Sequence, residues 1–143
     1  MKLAENIPKL LVLAVIAGGL GLLASRLLET GGGAATVNVA VPTLSPVAVA
    51  GRAAFDANCA QCHGKSGVGT KQGPPLIHDI YNPGHHADEA FRYAVRQGVR
   101  QHHWPYGNMP SQPQVTDSQL AEIVRYVREL QEANGIFYRP HRM

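Results

Sequence analysis

Five residues, Cys59-Ala60-Gln61-Cys62-His63, constrain this chain more than any other stretch, and they contain its two cysteines. A C-x-x-C-H run reads as the attachment site of a c-type haem: two thiols spaced to meet the two vinyl groups of one porphyrin, and an imidazole directly after them for the iron. On that reading Cys59 and Cys62 tether the group and His63 binds the metal. The competing readings are a redox dithiol, half of a zinc site and a structural disulfide. A closed zinc site asks for four ligands, usually two such pairs, and a thioredoxin-like dithiol asks for a βαβ pattern around it. Neither is present, whereas the adjacent histidine and a second ligand candidate downstream both suit haem.

The chain has 143 residues. Beyond its N-terminal segments there is room for one compact domain of about 95 residues, small for an unaided core. A covalently bound porphyrin would supply the missing apolar centre, consistent with an aromatic content of only 6%. A formal charge of +3 and a pI near 9.1 raise the question of nucleic acid. The basic residues are scattered and form no run or binding module, so nucleic acid is not an expected partner.

Lys2 and Lys9 precede an uncharged run from Leu10 to Ala24, with Arg26 after it. Residues 1–29 therefore read as an N-terminal membrane anchor or a signal sequence. No small-x-small cleavage site follows the run directly, and extending the span from Ile7 to Ser25 with Lys9 snorkelling favours an uncleaved single transmembrane helix. The lysines on its N-terminal side orient that end towards the cytoplasm and place the rest in the periplasm, or outside. Residues 30–47, with Gly31-Gly32-Gly33, a loose Val37-Asn38-Val39-Ala40-Val41 alternation, Pro42 and Pro46, read as a flexible linker. Residues 48–143 form the haem domain.

Within that domain the pattern is helical. Val49, Ala53 and Phe55 lead into the cysteines, with Gly51 four residues before Phe55. Gly and Pro then dominate from Gly64 to Leu76, which reads as a loop. A helix is expected from Asp88 to Gln97, with Phe91, Ala94 and Val95 on one face and Gly98 as its stop. In the last helix Thr116 and Gln119 make a capping box, Leu120, Ile123, Val124 and Val127 a buried stripe, and Gly135 the end. Arg125 with Glu129, and Arg128 with Glu132, read as solvated i,i+4 pairs.

Taken together, these residues resemble a class I cytochrome c of the short bacterial kind, from about Ala48 to Gly135. The resemblance rests on the haem motif and on Gly51 and Phe55 opposite Tyr126, like the family's helix crossing. It rests also on the Gly73-Pro74-Pro75-Leu76 loop and on Trp104-Pro105-Tyr106-Gly107-Asn108-Met109-Pro110. It implies an all-α fold with helices around one covalently bound haem c. It implies further that the Pro74 carbonyl accepts the His63 imidazole proton, that Leu76 contacts the haem, that Trp104 hydrogen-bonds a propionate and that Met109 is the second axial ligand.

The implied function is one-electron transfer by a His/Met-ligated mono-haem carrier, not an enzyme, relaying electrons between redox proteins at the outer face of the cytoplasmic membrane. A membrane dehydrogenase or oxidase complex is a candidate partner. The alternative is an open-site haem protein binding peroxide or a diatomic gas, should Met109 not be a ligand; His102 and His103 could compete for the iron. His78, His85 and His86, near Asp79 and Asp88, match no established metal spacing and read as surface loop.

Overall fold

The computed structural model describes residues 2–29 and 36–140. The chain divides into two compact units, Met1–Gly33 and Ala34–Met143. The first contains one helix, α1 (Lys2–Glu29), in which side chains 11–25 are all exposed. Among the described residues, no helix is long and apolar enough to cross a membrane. This corrects the expectation of a single transmembrane helix. The expected span from Ile7 to Ser25 rises about 28 Å at about 1.5 Å per residue, short of a hydrocarbon core of about 30 Å, and it takes in the charged Lys9.

The second unit holds α2 (Pro46–Asn58), α3 (Ala60–His63), α4 (Asp88–Gln97) and α5 (Asp117–Ala133), with short 3-10 turns at Lys65–Gly67 and Asp79–Tyr81. Among the described residues there is no strand, only an isolated antiparallel bridge between Val99 and Met109. The all-α expectation therefore holds for this unit.

Helix α2 starts at Pro46 because Ser45 caps it, its Oγ accepting from Ala48 N at 3.2 Å, and because proline suits a first turn. Its buried face is Ala48, Gly51, Ala54 and Phe55. Val49 and Ala53 lie off this face and are exposed. Gly51 is where α2 meets α5: a Cβ there would lie 2.0 Å from the Glu122 carbonyl oxygen and 3.0 Å from Tyr126 Cβ. One turn on, the Phe55 ring meets Tyr126 edge-on with centroids 5.6 Å apart.

In α5 the capping box forms as read from the sequence, with Thr116 and Gln119 bonded reciprocally. Leu120, Ile123, Val124 and Val127 are buried in the core. The Arg125–Glu129 pair forms at 2.6 Å. Arg128 does not make the expected solvated pair with Glu132: it turns inward and is only 8% exposed.

The expected linker is also revised. Residues 30–35 and the tail from His141 lie outside the described residues. Residues 36–45 are not a free tether but a belt across the domain, with Val37, Val39 and Leu44 packed on the core. Val37 N donates to Val68 O at 3.0 Å. Ala40 exchanges two hydrogen bonds with the Asn134 side chain, at 2.9 and 2.8 Å. Ser45 donates from both its backbone N–H and its hydroxyl to Glu129, at 2.9 and 2.6 Å. Although burial pushes the Glu129 carboxyl up, these Ser45 bonds and Arg125 bring it below the usual range.

The crossing makes a direct prediction. Gly51→Ala should force α2 away from the α5 backbone and destabilise the domain by about 3 kcal/mol, read as a lower midpoint in denaturant unfolding.

Candidate haem site

The end of α2 places the motif. Cys59 N–H donates to Phe55 O at 2.7 Å, so the aromatic buried at the helix crossing also fixes where the first thiol sits. The chain then turns through α3 and ends it at His63. Cys59 is half-buried and Cys62 exposed. Burial first, and Cys62 beside it second, push the Cys59 thiol up to about 11. A redox dithiol needs the opposite, a stabilised thiolate.

His63 Nδ1 lies 2.9 Å from Pro74 O. A carbonyl only accepts, so Nδ1 carries the proton and Nε2 keeps its lone pair. Burial holds the His63 pKa below its ordinary value and so favours the neutral ring, with the Pro74 hydrogen bond opposing it. The loop carrying Pro74 is pressed onto the motif: a Cβ on Gly73 would lie 2.9 Å from Cys62 O, and Leu76 N donates to Gly67 O at 2.8 Å.

Across the site, Gly98 ends α4 with φ 76. A Cβ there would lie 2.6 Å from Met109 O, so glycine both stops the helix and lets the Met109 backbone approach. Val99 and Met109 then exchange two backbone hydrogen bonds of 2.9 Å. Between them the loop is tied by Gln101 N to Asn108 Oδ1 and Gly107 N to Gln101 Oε1, at 2.9 and 2.8 Å.

One cavity of about 620 Å³ is lined by Cys59, His63, Pro74, Leu76, Trp104 and Met109. Of the seven residues that the sequence reading assigned to the haem, only Cys62 is outside that lining. Its volume falls within the range of about 300–1,000 Å³ for cofactor sites. Phe55, Phe91, Leu120, Ile123 and Val127 complete an apolar wall. Trp104 Nε1 is buried with no hydrogen-bond partner; the Tyr81 phenol interacts with the indole without reaching hydrogen-bonding geometry, and burial raises that phenol to about 12. An apolar chamber with thiols at its edge, a neutral imidazole on its wall and an orphaned N–H fits a porphyrin with acidic substituents.

Three features of this site were not read from the sequence. Arg128 is a hub: its guanidinium donates to Asp88 Oδ1 at 2.8 Å, Tyr81 O at 2.9 Å, Gln131 Oε1 at 2.6 Å and His86 O at 2.5 Å. It also stacks over Phe91, 4.9 Å from the ring centroid. Tyr81 is the second. The third is a histidine cluster at the cavity wall, which revises the surface-loop reading: His85, His86 and His103 bring one ring nitrogen each to within 4.8 Å of one another. Burial first, then neighbouring imidazoles, hold His86 and His103 below the ordinary histidine pKa, with the Ile80 carbonyl opposing this at His86. His78 goes elsewhere, its ring edge-on to Trp104 at 5.1 Å, while Asp79 and Asp88 pair with Arg139 and Arg128.

An all-α domain closed around a chamber with C-x-x-C-H at its edge defines a c-type cytochrome. The family description "Cytochrome c" matches residues 48–131, and the chain belongs to the cytochrome c family. It is 31% identical over 83 residues to a cytochrome c-555 of Chlorobaculum thiosulfatiphilum, covering 56% of this chain and 92% of that one. No solved structure matches it. Membership brings covalently bound haem c as the cofactor and electron transfer as the general activity.

Arg128 offers a test of how the chamber is held. Arg128→Lys cannot reproduce four directed donors, so it should lower unfolding free energy by about 2–3 kcal/mol and broaden the haem absorbance bands.

Proposed function

We propose that this chain is a one-electron carrier whose iron is held between His63 and Met109. When bound, the haem supplies a single iron that alternates between the ferric and ferrous states. Cys59 and Cys62 tether it by thioether bonds. His63 Nε2 is the proximal ligand, and the Pro74 carbonyl fixes the ring's tautomer and orientation. Met109, on a backbone pinned to Val99, would supply the second protein ligand, and a thioether there would favour the reduced state. Trp104 Nε1 would donate to a propionate, and Leu76 would contact the haem. Held by both His63 and Met109, the iron would be closed to substrates, as suits a carrier rather than an enzyme. The carrying observation is that His63 and Met109 line one and the same cavity.

The bound haem would exchange electrons with redox proteins that dock briefly near Cys59 and Cys62, a membrane dehydrogenase or oxidase complex among them. The domain works outside the cytoplasmic membrane. Helix α1 directs its export, the uncharged run 10–24 matching the length of an export-signal core.

Two variants test this reading. Cys59→Ala with Cys62→Ala should abolish haem staining after denaturing electrophoresis; retained stain would remove the attachment claim. Met109→Ala should keep the stain, lose the weak red-edge sulfur-to-iron band of the oxidised protein and let the reduced protein bind carbon monoxide. A wild type that already binds carbon monoxide readily would favour an open site instead.

A further inference from the structure

The histidine cluster is not used by this function, and two loops distant in sequence build it. His85 and His86 follow the Asn82-Pro83-Gly84 turn, whereas His103 comes from the loop closed by the Val99–Met109 bridge. The first loop is rigid for identifiable reasons. Asn82 is buried, and its Oδ1 accepts from Gly84 N at 2.9 Å. A Cβ on Gly84 would lie 1.7 Å from Arg139 O, so no other residue fits. His85 N and His86 N both donate to Asn82 O, at 3.0 and 2.8 Å, and Arg128 holds His86 O from inside.

The ring nitrogens are arranged as ligands would be. His85 Nε2 and His103 Nε2 lie 3.4 Å apart. Two imidazole nitrogens at about 2.0–2.1 Å from one tetrahedral zinc ion are separated by about 3.3–3.4 Å. His86 Nδ1 lies 2.7 Å from Ile80 O. That bond makes Nδ1 the protonated nitrogen and leaves Nε2 with its lone pair, the outer support that metal-binding histidines typically have.

We propose that His85, His86 and His103 bind one borderline divalent transition-metal ion, Zn²⁺ being the best match, with water in the fourth position. Three imidazoles without a carboxylate favour zinc or copper over calcium or magnesium. His86 and His103 also line the haem cavity. An ion held there adds positive charge beside the cofactor, so reduction and metal binding should favour each other. This coupling rests on the haem reading; the site itself does not.

The test uses the untagged, haem-loaded full chain, titrated with Zn²⁺ by calorimetry. One ion should bind per chain, more than tenfold weaker in His85→Ala with His103→Ala. Equal affinity in that variant, or no saturable binding by the wild type, overturns the site. Should the variant fail to fold, protection by Zn²⁺ of His85, His86 and His103 from diethyl pyrocarbonate in the wild type decides the matter, and unprotected rings overturn the site. Saturating Zn²⁺ should raise the haem midpoint potential in the wild type alone; binding without a shift overturns the coupling. Failure of the haem reading would show separately, as loss of haem stain.

Discussion

The domain depends on backbone touching backbone at Gly51. With the Glu122 carbonyl oxygen 2.0 Å from where a side chain would begin, α2 and α5 approach more closely than any pair of side-chain-bearing helices could. Phe55 and Tyr126 fill the next turn of that crossing, and Cys59 hydrogen-bonds back to Phe55. The attachment motif thus begins about two helical turns after this crossing, one turn beyond Phe55. Its geometry is set by packing and not by a flexible loop.

How much of this was legible in the sequence depended on distance along the chain. The helix from Asp88 to Gln97, the Thr116–Gln119 cap and the crossing residues were read correctly because each is encoded by local spacing or a recognisable pattern. Arg128 was misread because an i,i+4 acidic neighbour is available at the surface, yet three carbonyl or amide oxygens and Asp88 converge on it only after folding. The Val37–Val41 stretch looked like linker because glycines precede it and prolines follow, but Asn134 and Glu129 satisfy its backbone. His85 and His86 read as surface loop because two His-His pairs on separate loops show nothing of their meeting, so His103 was not joined to them.

Arg128 deserves a physical account because a buried guanidinium is costly unless every donor is met. Here Asp88 balances the charge from a partly solvated position, while carbonyls of Tyr81 and His86 take the remaining donors. Those carbonyls belong to the end of the Asp79–Tyr81 turn and to the irregular stretch from there to α4, which has few apolar side chains of its own to bury. One cation from the last helix therefore does for this stretch what a ladder of backbone bonds does for a strand. It couples the wall of the haem chamber to α5.

The α2–α5 crossing also dictates an order of events. Gly51 and Tyr126 lie near opposite ends of the domain, so closing their contact carries the entropy cost of a long loop. A chain emerging N-terminus first cannot form it until α5 is out, by which time the thiols of Cys59 and Cys62 have long been presented on an unfinished scaffold. The late arrival of the closing helix gives covalent chemistry a time window, and the same topology then shuts it.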